Sequence, residues 1–220
     1  TTKDVTTLQT NVLSKIAIYN NNTLEDFTGM FRYSKLIEDI NGADTSILSN
    51  ITTLKLYKYF TPTLNSAVKY TLNFNNALYN PHSGHNATAG GIISSTGFKI
   101  NDDSSANEHF LDDDGEGILR AYYLSGTTRV YTDSTYGTVN YTTGEVVLTS
   151  AHLTSISNVD GAASTRVRVF AIPNSNDVVP VRNQILSIDT SNSSITGEVD
   201  AIISGSSQAG TSYTTSSSYS

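Results

Sequence analysis

Tyr136-Gly137-Thr138-Val139-Asn140-Tyr141-Thr142-Thr143-Gly144-Glu145-Val146-Val147-Leu148 reads as a β-hairpin. Two runs of strand-forming residues flank Thr142-Thr143-Gly144, a tight turn in which Gly144 supplies the positive φ that closes it. A second stretch, Val178-Val179-Pro180-Val181-Arg182-Asn183-Gln184-Ile185-Leu186-Ser187-Ile188-Asp189, has the same strand-turn character. Neither holds a nucleophile with its base or a glycine-rich phosphate loop. Working outward from the hairpin, short strands are expected at 118–124, 129–131, 138–141, 145–149, 166–172, 184–189 and 195–203. This spacing of strands and turns predicts an antiparallel sandwich or partial barrel.

Upstream, Val68, Tyr70, Leu72 and Phe74 alternate with Lys69, Thr71 and Asn73, the period of a half-buried strand. A His- and Gly-containing loop from Asn80 to Gly91 follows, then one strand from Ile92 to Ile100 and an acidic connector from Asn101 to Gly117. The N-terminal part has a different period. Val5, Leu8, Val12 and Ile16 form a helical stripe, with Leu13 and Tyr19 beside it. Asp4 or Thr2 is the expected cap, and Asn20-Asn21-Asn22 the expected stop. An extended piece over Thr23–Phe27 should lead to a second helix at Met30–Ile40, ended by Asn41-Gly42. Leu54–Phe60 reads as a strand stopped by Thr61-Pro62, and the change of character over Thr61–Ser66 reads as a joint able to pivot. The Ser/Thr/Gly-rich stretch Ser204–Ser220 has too little apolar surface to offset ordering and is expected to be disordered on its own.

Composition narrows the function classes. The 220 residues carry a net charge of −7, and the pI is about 4.9. This argues against nucleic acid and anionic membranes as partners, since both need a basic face. There is no cysteine, which excludes disulfides, thiolate zinc sites and cysteine nucleophiles. A missing leader and a first residue Thr1 suggest a fragment of something larger.

The candidate chemistry is thin. His82-Ser83-Gly84-His85 supplies two imidazoles, with His109 and Asp112 the only conceivable additions, so no metal site is assigned. Asp112-Asp113-Asp114-Gly115-Glu116-Gly117 resembles a calcium loop, but the distal glutamate position is occupied by Ala121; a solvated acidic turn is expected. Glu108, Asp112 and Glu145 as a glycosidase pair is a chance-level reading. No catalytic residue, cofactor or metal is assigned. Arg182, Asn183 and Gln184, set between Val178-Val179 and Ile185-Leu186, must find partners. They are the candidate structural or interface node.

Leu36-Ile37-Glu38-Asp39-Ile40-Asn41-Gly42-Ala43-Asp44-Thr45-Ser46-Ile47, followed by a strand at Thr52–Phe60 and Pro62, resembles the baseplate J-like family. Gly137–Tyr141, Thr143–Leu148, Ala171-Ile172-Pro173, Asp177-Val178 and Val181–Leu186 are similar to the C-terminal region of T-even-type wedge subunits of contractile tails. The likeness runs loosely from Asn11 to Val199. It implies a virion protein of the tail baseplate, assembled in the host cytoplasm, that holds wedges together in the inner ring. It also implies a homodimer and contacts with other wedge, hub and sheath-initiating proteins, and no enzymatic activity.

The expected fold is thus α+β, with a helix–helix–strand unit at 1–62, a β-rich domain at 67–203 and a tail at 204–220. The alternative from another functional class is a secreted or virion β-rich carbohydrate-binding or adhesin module, which leaves the two leading helices unexplained.

Overall fold

The computed structural model describes residues 3–26, 28–85, 87–88, 90–159, 161–181 and 184–198. The tail at 204–220, Thr2, Phe27, Arg182 and Asn183 lie outside the described residues.

Helix α1 spans Val5–Tyr19, capped by Asp4, whose carboxylate accepts from the Thr7 amide. Val12, Ile16 and Tyr19 are its buried row. The asparagine run does not stop the helix. It continues as a π-helical turn, Asn20–Leu24, where an extended piece was expected. The wider turn points Asn20 inward: its amide donates to Glu25 Oε1 at 2.7 Å, and its Oδ1 accepts from the Ile188 amide at 2.6 Å. The asparagine is used for its side-chain bonds and does not act as a breaker. Helix α2 spans Tyr33–Asn41, three residues later than the expected start, because Phe31 is held extended against Val178. Leu36 and Ile40 bury its apolar side, and Gly42 closes it.

Nine strands follow: β1 Leu56–Phe60, β2 Ala67–Asn73, β3 Ile93–Ser95, β4 Phe98–Ile100, β5 His109–Asp113, β6 Ile118–Ser125, β7 Thr128–Asn140, β8 Glu145–Ile156 and β9 Val167–Ala171. All pairings are antiparallel. β1, β9 and β3 form one small sheet in that order. The others form a six-stranded sheet, β2-β8-β4-β5-β6-β7, in which β7 also pairs with β8. The pairings β8–β4–β5–β6–β7–β8 return on themselves, so the sheet curls into a partial barrel with β2 along the outer edge of β8. Its narrowest seam is β4–β5, joined through Phe98 and His109. The class is α+β, as the sequence suggests.

The hairpin Gly137–Leu148 is in place, with Val139 opposite Val146 and Gly144 at φ +73°. The Asn140 carboxamide accepts from the amides of Thr142 and Thr143 and fixes the turn. Other strands depart from expectation. The single strand at 92–100 is two strands in different sheets, because the chain changes sheet across Thr96-Gly97. Residues 129–131 and 138–141 belong to one long strand, β7. The acidic connector contains β5, a buried strand. No strand forms at 184–189, nor at 195–198 among the described residues; the rest of 195–203 lies outside them.

The apolar residues gather into two clusters. One fills the barrel and the small sheet, with Leu111, Leu119, Val146, Leu148, Leu153 and Val169 at its centre. The other joins both helices to Val178, Leu186, Ile188 and Ile195 from the far end of the chain. Thr61–Ser66 is not a free joint: Pro62 is buried, the Thr63 amide donates to Tyr70 Oη at 2.8 Å, and the Asn65 amide donates to the Leu153 carbonyl at 2.7 Å. These bonds stitch the segment to β2 and β8.

Candidate functional site

The acidic stretch is the first correction at the level of chemistry. Asp112 and Asp113 are not solvated; they sit at the end of β5 with essentially no exposed surface. Burial of two carboxylates is tolerable only when each is paired or fully hydrogen-bonded. Asp112 Oδ1 accepts from Arg120 Nε at 2.9 Å, and Oδ2 from Arg129 Nη1 at 2.6 Å and Tyr131 Oη at 2.8 Å. Asp113 accepts from the Ile93 amide at 2.7 Å and from Tyr141 Oη at 2.6 Å. Two guanidiniums and two carboxylates balance in charge. Register explains the convergence: Asp112 lies opposite Arg120 across the β5–β6 pair, and Arg129 comes from β7.

The guanidiniums are also stacked. Arg120 lies 4.4 Å from the Tyr131 ring centre and Arg129 lies 4.5 Å from that of Tyr122. Burial and the bond to Asp113 raise the pKa of the Tyr141 hydroxyl well above the ordinary tyrosine value. The network also pins the 80–91 loop, since Arg120 Nη1 donates to the Ala87 carbonyl at 2.9 Å. At Gly91 an added Cβ would lie 2.1 Å from Asp113 Oδ2, so the loop reaches the carboxylate only through glycine. With their oxygens taken up by protein donors, the carboxylates work as fasteners between loop and barrel.

The histidines do not converge on this network. His109 is fully buried, donating through Nδ1–H to the Asn107 carbonyl at 2.9 Å, while its Nε2 lies 2.8 Å from the Thr132 hydroxyl and 3.7 Å from the Asp103 carboxylate. His82 and His85 stay on the exposed loop, with Nε2 of the first and Nδ1 of the second 3.2 Å apart. Among the described residues, no three His, Asp or Glu side chains are grouped to hold a metal ion.

The second constellation is the return of the chain over the helices. Phe31 and Val178 exchange both backbone hydrogen bonds, at 2.9 and 3.0 Å. Asp177 acts as a remote cap for α2: Oδ1 accepts from the Tyr33 amide at 2.9 Å, and Oδ2 pairs with Arg32 at 2.9 Å. The bond from Arg32, then that from Tyr33, holds the Asp177 carboxyl below its ordinary pKa. Farther on, Ile188 binds Asn20 as described, and the Ile195 carbonyl accepts from Gln9 Nε2 at 2.8 Å. The helix pair therefore completes its core with residues some 140 positions downstream of α2. Of the candidate node, Gln184 is half-buried and its amide closes a turn onto the Val181 carbonyl at 3.0 Å. Arg182 and Asn183 lie outside the described residues. Val179, Val181 and Ile185 beside them face outward.

Sequence reasoning missed the Asp112–Arg120–Arg129 network and the cap by Asp177. Both depend on pairing partners that are distant along the chain. The only local signal was an acidic triplet preceded by the strand-like Phe110-Leu111.

Among the described residues no helix is long and apolar enough to cross a membrane. No curated protein matches the chain. Residues 1–59 match the family model described as baseplate structural protein gp6, C-terminal domain III. That span holds both helices and most of β1, the part of the fold over which residues 177–195 close. Over this segment the chain is similar to that domain, and the likeness supports a structural role in the bacteriophage tail baseplate, alongside other baseplate components.

Proposed function

We propose that this chain holds adjacent wedges together in the inner ring of a contractile-tail baseplate and has no catalytic activity. The observation that carries the reading is the family match over the two helices and the strand after them. The buried Asp112 and Asp113 support a structural reading of the acidic stretch, because their oxygens are committed to arginine, tyrosine and backbone donors. In this reading the chain pairs with a second copy and contacts other wedge, hub and sheath-initiating proteins. Arg182, Asn183 and Gln184, next to exposed Val179, Val181 and Ile185, are the proposed contact node.

The division into units at 1–62 and 67–203, with a tail at 204–220, belongs to the same proposal. The separation of two apolar clusters supports it, while β1 and the 177–195 return tie the units together. Native mass measurement of the purified chain tests the pairing. A dimer lost in a variant carrying Arg182→Ala and Gln184→Ala is the expected result. A monomer at high concentration, both alone and with the other wedge proteins, overturns the wedge-joining role.

A further inference from the structure

Strand β1 ends the three-stranded sheet. Its backbone pairs with β9 on one side, and no described strand covers the other. An open edge of this kind is a template for another strand, and proteins usually guard it with charge. Lys58 stands at the middle of β1, on the row that carries Leu56 and Phe60 toward the cores. It is half-buried, and no hydrogen bond or ion pair reaches its ammonium among the described residues. Burial alone lowers its pKa. On the opposite row Tyr57 and Tyr59 are exposed, with the Arg166 guanidinium 4.2 Å from the Tyr59 ring centre and that of Arg168 5.9 Å from Tyr57. Lys55 precedes the strand and is exposed. Cations and tyrosines thus outnumber carboxylates on one edge of a chain whose net charge is −7, the carboxylate beside them being Asp189, which accepts from the Tyr57 hydroxyl.

We infer that the open edge of β1 receives an extended acidic segment of a neighbouring baseplate protein, which adds a strand and brings a carboxylate to Lys58. Main-chain bonds supply affinity in such an addition, and alternate side chains supply selection. An apolar strand would leave the ammonium half-buried and unpaired, so Lys58 rejects it; a strand bearing glutamate or aspartate neutralises it. Tyrosine and arginine are the residue types that carry most binding energy at interfaces, and the outer row offers both. The edge would act this way whether or not the chain joins wedges, so its test is separate from that of the wedge-joining role.

The probe is a blocked peptide of alternating threonine and glutamate, with threonine–lysine and threonine–valine peptides as controls, titrated against the full chain. Binding of the glutamate peptide is expected, with slowed amide exchange confined to residues 56–60, and at least about tenfold weaker binding of both controls. Lys58→Glu should abolish binding of the glutamate peptide and admit the lysine peptide. Lys58→Met should lose the preference between the glutamate and valine peptides while β1 keeps its backbone pairing with β9, seen as unchanged exchange at Val167–Ala171. Absence of binding to the unaltered chain, equal binding of all three peptides, or protection of another segment overturns the inference. The first of these results would leave Lys58 as a guard of the edge and nothing more.

Discussion

Tyr136 and Tyr141 show how the same residue type can carry opposite energetic signs. Both hydroxyls are removed from water and both have raised pKa values, caused first by burial. Tyr141 donates to Asp113, whereas the Tyr136 hydroxyl has no hydrogen-bond partner among the described residues. Tyr141→Phe should therefore lower stability by about 1–3 kcal/mol, because Asp113 loses a donor inside the barrel. Tyr136→Phe should be neutral or slightly stabilising, by up to about 1 kcal/mol, since it removes an unsatisfied group. Chemical denaturation of the two variants side by side checks both signs. Asp112→Ala is the harsher change: it leaves two guanidiniums without their carboxylate and should cost roughly 3–5 kcal/mol. Asp44 gives a pH signature. Its bonds from Lys3 and then from the Ser46 amide hold its pKa at about 2, below the ordinary value of 3.8. A depressed carboxyl stabilises the fold fully above the unfolded value and loses that contribution as pH falls through the folded value. Stability should drop between about pH 4 and 2, and Asp44→Asn should flatten that limb of an acid-unfolding curve.

At the scale of elements, the hairpin and the remote cap are the features most open to test. Gly144 has φ +73°, and a Cβ there would lie 2.2 Å from the Asn76 carbonyl oxygen. Gly144→Ala should cost about 1–3 kcal/mol through strain and collision together. Asp177→Ala should remove about 0.5–2 kcal/mol of capping and raise amide exchange at the start of α2, although the altered residue is far away in sequence. These two elements also mark how much was legible in the chain. The hairpin was readable because alternation, turn residues and Gly144 all lie within a dozen positions. The same holds for α1, β2, β6 and β9, whose periods are local. The break between β3 and β4 was not readable, because Ile92–Ile100 has a continuous strand composition and only the partners reveal the change of sheet. Strand β5 was masked by its aspartates, whose polarity suggests solvent until Arg120 and Arg129 are placed against them. The π-helical turn was masked likewise, since Asn20 resembles a helix stop until Ile188 is found across from it. The candidate node was chosen from tight polar–apolar neighbours, a local signal that does not identify a partner.

At the scale of the whole molecule, a partial barrel and a helix pair are fastened by a chain that leaves the helices, builds the sheets and returns. The returning residues bury Val178 and cap α2, so the segment matched by the gp6 family is completed by residues outside the match. This design suits a subunit that is held by neighbours: the cores are closed, and open surface is left at β1 and at Val179, Val181 and Ile185. Cross-linking mass spectrometry on intact tails, with the chain traced to its neighbours, decides whether this chain joins adjacent wedges. Cross-links are expected from the Lys55–Lys58 edge and the 178–186 region to copies of this chain or to baseplate proteins of adjacent wedges. Absence of the chain from the baseplate, or cross-links confined to a single wedge, would contradict that role.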